Sequence, residues 1–280
     1  MRVFLCGAFA FVKHKYRGGQ ALKYKIRYFC VSDIGRCRKM NQDNFACEGR
    51  YMDVSNAAFT FPLSGTLYPD QPSMIGVFDG LGGEEQGEMA SYIAARTAAE
   101  TQIGEDPLKE LLDFCQTANS RICSYASHND VTSMGTTAAV LIFSQEGISL
   151  CNIGDSKIFH FAQGRLDQIS TDHYCITSPG VKPQLSQNLG IPADEMTIDP
   201  YVAKGDYNEG DIYLMCSDGL TDMISPDQIA SVLQTTEFDN CVGALLSMAL
   251  EKGGRDNITI ILCKIEQDKQ SFFSQFFDPV

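Results

Sequence analysis

The sequence predicts an α+β fold in which antiparallel sheets are covered by helices, and two observations carry that prediction. Strands follow one another quickly through Thr136 to Phe143, Ile148 to Ile153 and Lys157 to Phe161, with Glu146-Gly147 and Gly154-Asp155 as the turns between them. Connections this short require antiparallel pairing. Helical patterns come as two pairs that the strands flank, instead of one helix after each strand, which argues against a βαβ series.

The remaining elements follow in order. Ile26 to Ser32 (IRYFCVS) is rich in aromatic and β-branched residues and is closed by Asp33-Ile34-Gly35, so it reads as a strand. A second strand starts near Asn44-Phe45-Ala46. Tyr51 to Pro72 carries Pro62, Gly65, Pro69 and Pro72 and reads as a loop or hairpin insertion before the strand Ile75 to Phe78. Glu84 to Ile103 places Met89, Ala90, Ile93, Ala94, Thr97 and Ala98 at helical spacing, and Leu108 to Ser127 does the same with Leu111, Leu112, Cys115, Ala118, Ile122 and Tyr125. Thr171 to Ala203 reads as irregular. Asp211 to Cys216 is a buried strand, Pro226 to Gln234 and Cys241 to Lys252 are helices, and Ile258 to Ile265 is a closing strand.

At 280 residues with 44% apolar composition, and with no internal repeat, the chain favours one large domain. Three parts are expected: an N-terminal extension or edge strand (1 to 25), a catalytic domain (26 to 266) and an aromatic tail (267 to 280) whose Phe272, Phe273, Phe276 and Phe277 pack back on the domain or, alternatively, dock a partner. A net charge of -13 repels nucleic-acid phosphates and anionic lipid. It also suits a protein that holds cations between its carboxylates and a phosphate. The nine apolar residues Phe4 to Val12 are too few to span a bilayer. The eleven cysteines are scattered, with no zinc spacing, and read mostly as small buried hydrophobes in a reducing cytoplasm.

Four places repeat one design, an apolar strand ending in an aspartate beside glycine or a polar turn: Phe78-Asp79-Gly80, Gly154-Asp155-Ser156, Ser217-Asp218-Gly219 and Arg255-Asp256-Asn257. Hard divalent cations such as Mn²⁺ and Mg²⁺ want oxygen ligands, and carboxylates at rigid strand ends supply them. A single Asp-Gly pair is most often a turn. The ordered set is more specific: Asn41-Gln42-Asp43-Asn44, Asp79-Gly80-x-Gly82-Gly83, Met134-Gly135-Thr136-Thr137, Gly154-Asp155-Ser156, Ser217-Asp218-Gly219-Leu220-Thr221-Asp222 and Gly254-Arg255-Asp256-Asn257-Ile258-Thr259.

This set closely resembles the metal-dependent type 2C serine/threonine protein phosphatases, the PPM family, in particular their bacterial branch, over about Ile26 to Ile265. The resemblance implies a four-layer α-β-β-α sandwich and Mn²⁺ or Mg²⁺ as cofactor, two core ions and a third. It implies that Asp79 bridges two ions, that the Gly80 carbonyl binds one of them, and that Asp218 and Asp256 hold the other. The third, looser ion would use Asp155, Asp218 and Asp222. Arg38 would grip the phosphate, and Asp43 would join the metal set at its water network, so Arg38 and Asp43 are the catalytic candidates. A hydroxide between two ions about 3.5–4 Å apart is a nucleophile at neutral pH and attacks phosphorus in line without a phosphoenzyme. Phosphorylated proteins, targets of a serine/threonine kinase, are the implied partners of a monomer. The alternative is a catalytically weak pseudophosphatase that binds or regulates.

Departures from the family pattern are informative. Gln42 stands where many members have a metal-side glutamate, and Leu81 and Glu84 stand where members carry a candidate acid histidine. His173 reads as structural. Tyr174 to Gln187 leaves little room for the family's flap, which predicts an open cleft with selectivity resting elsewhere, on Tyr51 to Pro72 for example.

Overall fold

The computed structural model describes residues 24–54, 59–81, 86–175 and 183–268. The N-terminal extension, the aromatic tail, Gly82 to Glu85 and the middle of the short flap segment lie outside them.

Among the described residues, twelve strands and five helices follow in order. They are β1 (Tyr24–Asp33), β2 (Asp43–Ala46), β3 (Phe59–Leu67), β4 (Met74–Leu81), α1 (Gly87–Glu100), α2 (Pro107–His128), β5 (Gly135–Thr136), β6 (Ala138–Ser144), β7 (Gly147–Ile153), β8 (Lys157–Ala162), β9 (Arg165–Gln168), β10 (Tyr201–Gly205), β11 (Ile212–Cys216), α3 (Asp218–Thr221), α4 (Pro226–Thr235), α5 (Phe238–Glu251) and β12 (Ile258–Gln267). Every pairing is antiparallel. One sheet runs β3-β1-β12-β11-β8-β9 and the other β10-β7-β6-β4-β2, with β5 on β4.

Strand periodicity explains the layering. Along β12, Ile261, Cys263 and Ile265 enter a core with Ile26, Tyr28 and Cys30 of β1 and with Ile75, Val77, Leu141 and Phe143 of the other sheet. The alternate residues Ile258, Ile260 and Leu262 turn outward, onto Val232 of α4 and Cys241 and Leu245 of α5. On the other side, Phe78, Val140 and Ile142 pack against α1 and α2 through Ala90, Ala94, Leu111 and Phe114. Three apolar cores therefore separate four layers, α-β-β-α. A side-chain period of two lets each sheet feed two cores at once.

Several local expectations change. Phe59–Leu67 is not part of a loop or a self-contained hairpin: it pairs with β1, Ile26 opposite Leu67, and forms the edge of the first sheet. Tyr201–Ala203, expected to be irregular, belongs to β10 and pairs with β7 because Val202 has an apolar core to join. The short helix α3, too brief to show a periodic pattern, begins at Asp218 itself. The helix start at Pro226 is as the sequence reads: Ser225 Oγ accepts from the Gln228 N–H at 3.4 Å and Gln228 Oε1 accepts from the Ser225 N–H at 3.1 Å, a capping box ahead of a proline at the first position. Seven of the ten described cysteines are buried and all ten are free thiols.

Candidate active site

The site is assembled where strands of both sheets end. Asp43 opens β2 and stands opposite Asp79 of β4 in the antiparallel register. Asp155 follows β7 in a turn made by Gly154 at φ +97°. Asp218 follows β11, and Asp256 immediately precedes Asn257 at the head of β12. Asp43, Asp79 and Asp155 thus come from the second sheet, and Asp218 and Asp256 from the first.

Close backbone approach sets the glycines beside them. A Cβ on Gly80 would stand 2.3 Å from the Gly87 carbonyl oxygen and 2.5 Å from that of Gln42, whose oxygen accepts the Gly80 N–H at 3.1 Å. A Cβ on Gly219 would stand 1.9 Å from the Asn257 carbonyl oxygen. Glycine is therefore required at both places by contact with backbone, which cannot move aside.

Hydroxyls and amides hold the carboxylates in place. Asp43 Oδ2 accepts from Ser217 Oγ at 2.7 Å and from Thr259 Oγ1 at 2.8 Å. Thr259 has spent its only proton there, so the 2.8 Å contact between Ser32 Oγ and Thr259 Oγ1 must be donated by Ser32, whose oxygen accepts from Asn41 Nδ2 at 2.9 Å. The main chain of Asp79 is fixed from β5 and the residue that follows it: its N–H donates to Thr137 Oγ1 at 3.1 Å, and its carbonyl accepts from the Thr137 N–H and from Thr136 Oγ1, both at 2.9 Å. Asn257 clamps the 34–42 loop: its Nδ2 donates to the carbonyls of Ile34 (2.9 Å) and Met40 (3.0 Å), and its Oδ1 accepts from the Gln42 N–H (2.8 Å).

The electrostatics show carboxylates outnumbering the cations beside them, Arg38 and Lys157. Burial, and then the charges of Asp43, Asp218, Asp155 and Asp256, push the Asp79 carboxyl well above the usual range. Asp43 is pushed up to about 7 by burial, with Asp218 and Asp256 adding to it, although Ser217 and Thr259 pull the other way. Asp155 is also raised by burial, against the opposing effects of Lys157 and of Tyr174, whose hydroxyl donates to Asp155 Oδ2 at 3.2 Å. The four carboxylates that raise Asp79 come from both sheets, and cations are needed there for Asp79 to be ionised beside them. The donors are all oxygens, which fits a hard divalent ion. Among the described residues no three acidic, cysteine or histidine side chains already converge into a closed cage. Part of the reason is on view: Asp256 Oδ2 is turned to Arg38 and Asp43 Oδ2 to its two hydroxyls.

Arg38 lies on an exposed loop, and its Nη2 donates to Asp256 Oδ2 at 2.6 Å. Partial burial works against its charge, but Asp256, then Asp79 and Asp218, hold its pKa above the ordinary value. Asp222 is exposed at the end of α3, its N–H donating to the Asp218 carbonyl at 2.8 Å. Gln42 Nε2 donates to Glu88 Oε2 at 3.1 Å, so the amide faces the first turn of α1. Leu81 pairs with Gly135 through the backbone, and Glu84 lies outside the described residues. His173 is tied to the Gly154 turn: its N–H donates to the Gly154 carbonyl at 3.0 Å and its Nδ1 accepts the Gly154 N–H at 3.2 Å. Ser32, Ser217, Thr259 and Asn257 were not assigned roles from sequence, although three of them lie inside the quoted motifs; their pairing across the two sheets is a tertiary fact.

Comparison with known proteins adds the lineage. A family model described as Protein phosphatase 2C matches residues 67–258. The chain belongs to the protein phosphatase 2C family. Serine/threonine protein phosphatase PstP of Mycobacterium tuberculosis is 26% identical over 86% of this chain and 45% of its own length, so the chain spans under half of that relative. Serine/threonine phosphatase stp of Listeria monocytogenes is 27% identical over 85% of this chain and 94% of its own. A crystal structure of the M. tuberculosis phosphatase superposes with a TM-score of 0.71 at 26% identity, covering 87% of this chain and all of that one. A second structure, of the PstP catalytic domain in complex with two manganese ions, matches at 25% identity with the same TM-score and coverage. The protein phosphatase 2C sandwich is thus shared over most of the described chain.

Proposed function

We propose that this protein is a divalent-cation-dependent phosphatase that removes phosphate from phosphoserine and phosphothreonine in proteins, with 26–266 as its catalytic domain. One observation carries the reading: in a protein phosphatase 2C chain, Asp79 is surrounded by Asp43, Asp155, Asp218 and Asp256 from both sheets, with Arg38 alongside.

Asp79, the Gly80 carbonyl, Asp218 and Asp256 would hold two Mn²⁺ or Mg²⁺ ions, and Asp155, Asp218 and Asp222 a third. Bound there, the ions supply activation of water near neutral pH and neutralisation of the phosphoryl charge. The protein's own groups do the rest. The Arg38 guanidinium presents a planar fork of donors for phosphoryl oxygens, and Asp256 keeps it at the mouth of the site. Asp43, locked through Oδ2 to Ser217 and Thr259, holds a fixed acceptor beside Asp79. No protein nucleophile is needed: the thiols of Cys30, Cys151, Cys216 and Cys263 are buried and pushed up by burial or by neighbouring thiols. Unbridged thiols among the described residues agree with a reducing cytoplasm. No described helix is long and apolar enough to cross a membrane. A monomer acting on targets of a serine/threonine kinase completes the reading.

The test is hydrolysis of a chromogenic aryl phosphate with Mn²⁺, with EDTA, and by Asp218→Asn. EDTA is expected to abolish turnover, and the substitution to lower kcat/KM about 100-fold or more, as loss of a charge-stabilising group does. Turnover indifferent to both refutes the metal-dependent mechanism, and an inert intact protein refutes the phosphatase.

A further inference from the structure

The loop between β1 and β2 bears more positive charge than the reaction uses. Residues 36 to 40, Arg-Cys-Arg-Lys-Met, are all exposed, and so is Arg255. Arg38 is committed to Asp256. Among the described residues Arg36, Lys39 and Arg255 make no ion pair, in a chain whose net charge is -13. Two carboxylates beside this loop in the chain or through its contacts are already engaged: Asp33 Oδ1 accepts the Gly35 N–H at 2.7 Å, and Asp256 takes Arg38.

The loop is also held still. The Arg36 N–H donates to the Gly254 carbonyl at 2.7 Å, and Asn257 grips the Ile34 and Met40 carbonyls on either side of it. Gly35, at φ +77°, sits where a Cβ would be 2.2 Å from the Asp256 carbonyl oxygen. The Arg36 stem lies so close to Gly254 that a Cβ there would meet its Cγ at 3.3 Å. Arg36 and Lys39 thus lie on a loop tied to the 253–256 turn that carries Arg255 and Asp256, so the backbone brings three cations to one rim of the site.

We propose that this rim selects substrates: Arg36, Lys39 and Arg255 bind aspartate and glutamate side chains flanking the phosphorylated residue, so that the peptide lies with its acidic flank over the β1–β2 loop. The proposal rests on the phosphatase reading and names its substrate class. A fixed guanidinium fork loses little freedom on gripping a carboxylate. Each exposed ion pair contributes a factor of about 1.5 to 5, so three cations favour an acidic flank by about tenfold at low salt.

The experiment compares kcat/KM on phosphothreonine peptides with Asp/Glu, Ala or Lys flanks, using wild type, Arg36→Gln/Lys39→Gln and Arg36→Glu/Lys39→Glu, each checked for fold by circular dichroism. The quantity read is the ratio of acidic-flank to Ala-flank peptide, which cancels any general effect on the phosphate. Wild type is expected near 10 at low salt. The glutamine pair brings the ratio towards 1 and the glutamate pair below it, while 0.5 M salt flattens it in wild type without any variant. A wild-type ratio of 1, or one unchanged by both variants, overturns the proposal while aryl phosphate turnover leaves the phosphatase reading intact. If nothing is hydrolysed, the phosphatase reading fails, and fluorescence anisotropy of the same labelled peptides still decides the rim: equal binding of acidic and Ala flanks overturns it.

Discussion

At Asp43 two opposing effects meet and burial wins. Ser217 and Thr259 stabilise its anion, yet burial and the neighbouring charges of Asp218 and Asp256 lift it to about 7. Asp79 and Asp155 are raised as well. A carboxyl whose folded pKa exceeds its unfolded value holds more protons in the folded state, so its stabilisation is complete below the ordinary carboxyl range and is lost as pH rises through the folded value. His173, lowered by burial, works in the opposite direction but is a single group. The EDTA-treated protein is therefore expected to lose thermal stability from pH 5 to pH 8, and saturating Mn²⁺ is expected to abolish that loss. A melting temperature that stays level or rises with pH in EDTA would sink this account. The hydroxyl set makes a second residue-scale expectation. Thr259→Val leaves Asp43 and Ser32 short of partners in a buried place, and should cost about 1–3 kcal/mol in urea unfolding; a cost below 0.5 kcal/mol, on the order of a surface change, contradicts the network.

At the scale of elements, the site depends on the turns that join strands to short helices. Residue α3 position two is Gly219, which abuts the Asn257 carbonyl at the head of β12. Gly219→Ala forces two backbones apart and is expected to destabilise by about 1–3 kcal/mol, because a backbone oxygen has no rotamer to give. Denaturant titration checks it; a neutral change means that α3 shifts freely. The strands themselves were legible in sequence where apolar runs ended in Asp-Gly or Gly-Asp. Strand β3 was not, because Pro62 and Gly65 read as turn residues, and an edge strand tolerates both where a central one does not. Strand β10 escaped because its burial is only partial. Phe238 to Asn240, the first turn of α5, escaped because its N-cap position is Glu237, which offers no side-chain hydrogen bond to announce it.

For the whole molecule, the decisive feature is that the carboxylates come from both sheets, so a cation held by the proposed set would tie the two halves of the sandwich together. Unfolding must release it, and an ion at 100 times its dissociation constant stabilises by about 2.7 kcal/mol. Mn²⁺ is therefore expected to raise the melting temperature of the wild type in one cooperative transition, and Asp256→Asn to shrink the rise. A rise equal in both would remove Asp256 from the metal set.

The sequence by itself determined the fold class, the order of most elements and the lineage, because strand periodicity, short connections and an ordered series of Asp-Gly turns are all local along the chain. It also named Asp43, Asp79, Asp155, Asp218, Asp222 and Asp256 as residues that belong together, since their type and order are written in the motifs, and Arg38 through the family resemblance. Tertiary structure decided what they do to one another: that Asp43 faces Asp79 across a register, that Ser32, Ser217 and Thr259 serve Asp43, that Asn257 grips a loop more than 200 residues away in the chain, and that the loop of Arg36 and Lys39 is tied to the turn that carries Arg255. Those relations depend on through-space distance and on burial, and neither exists until two sheets have packed face to face.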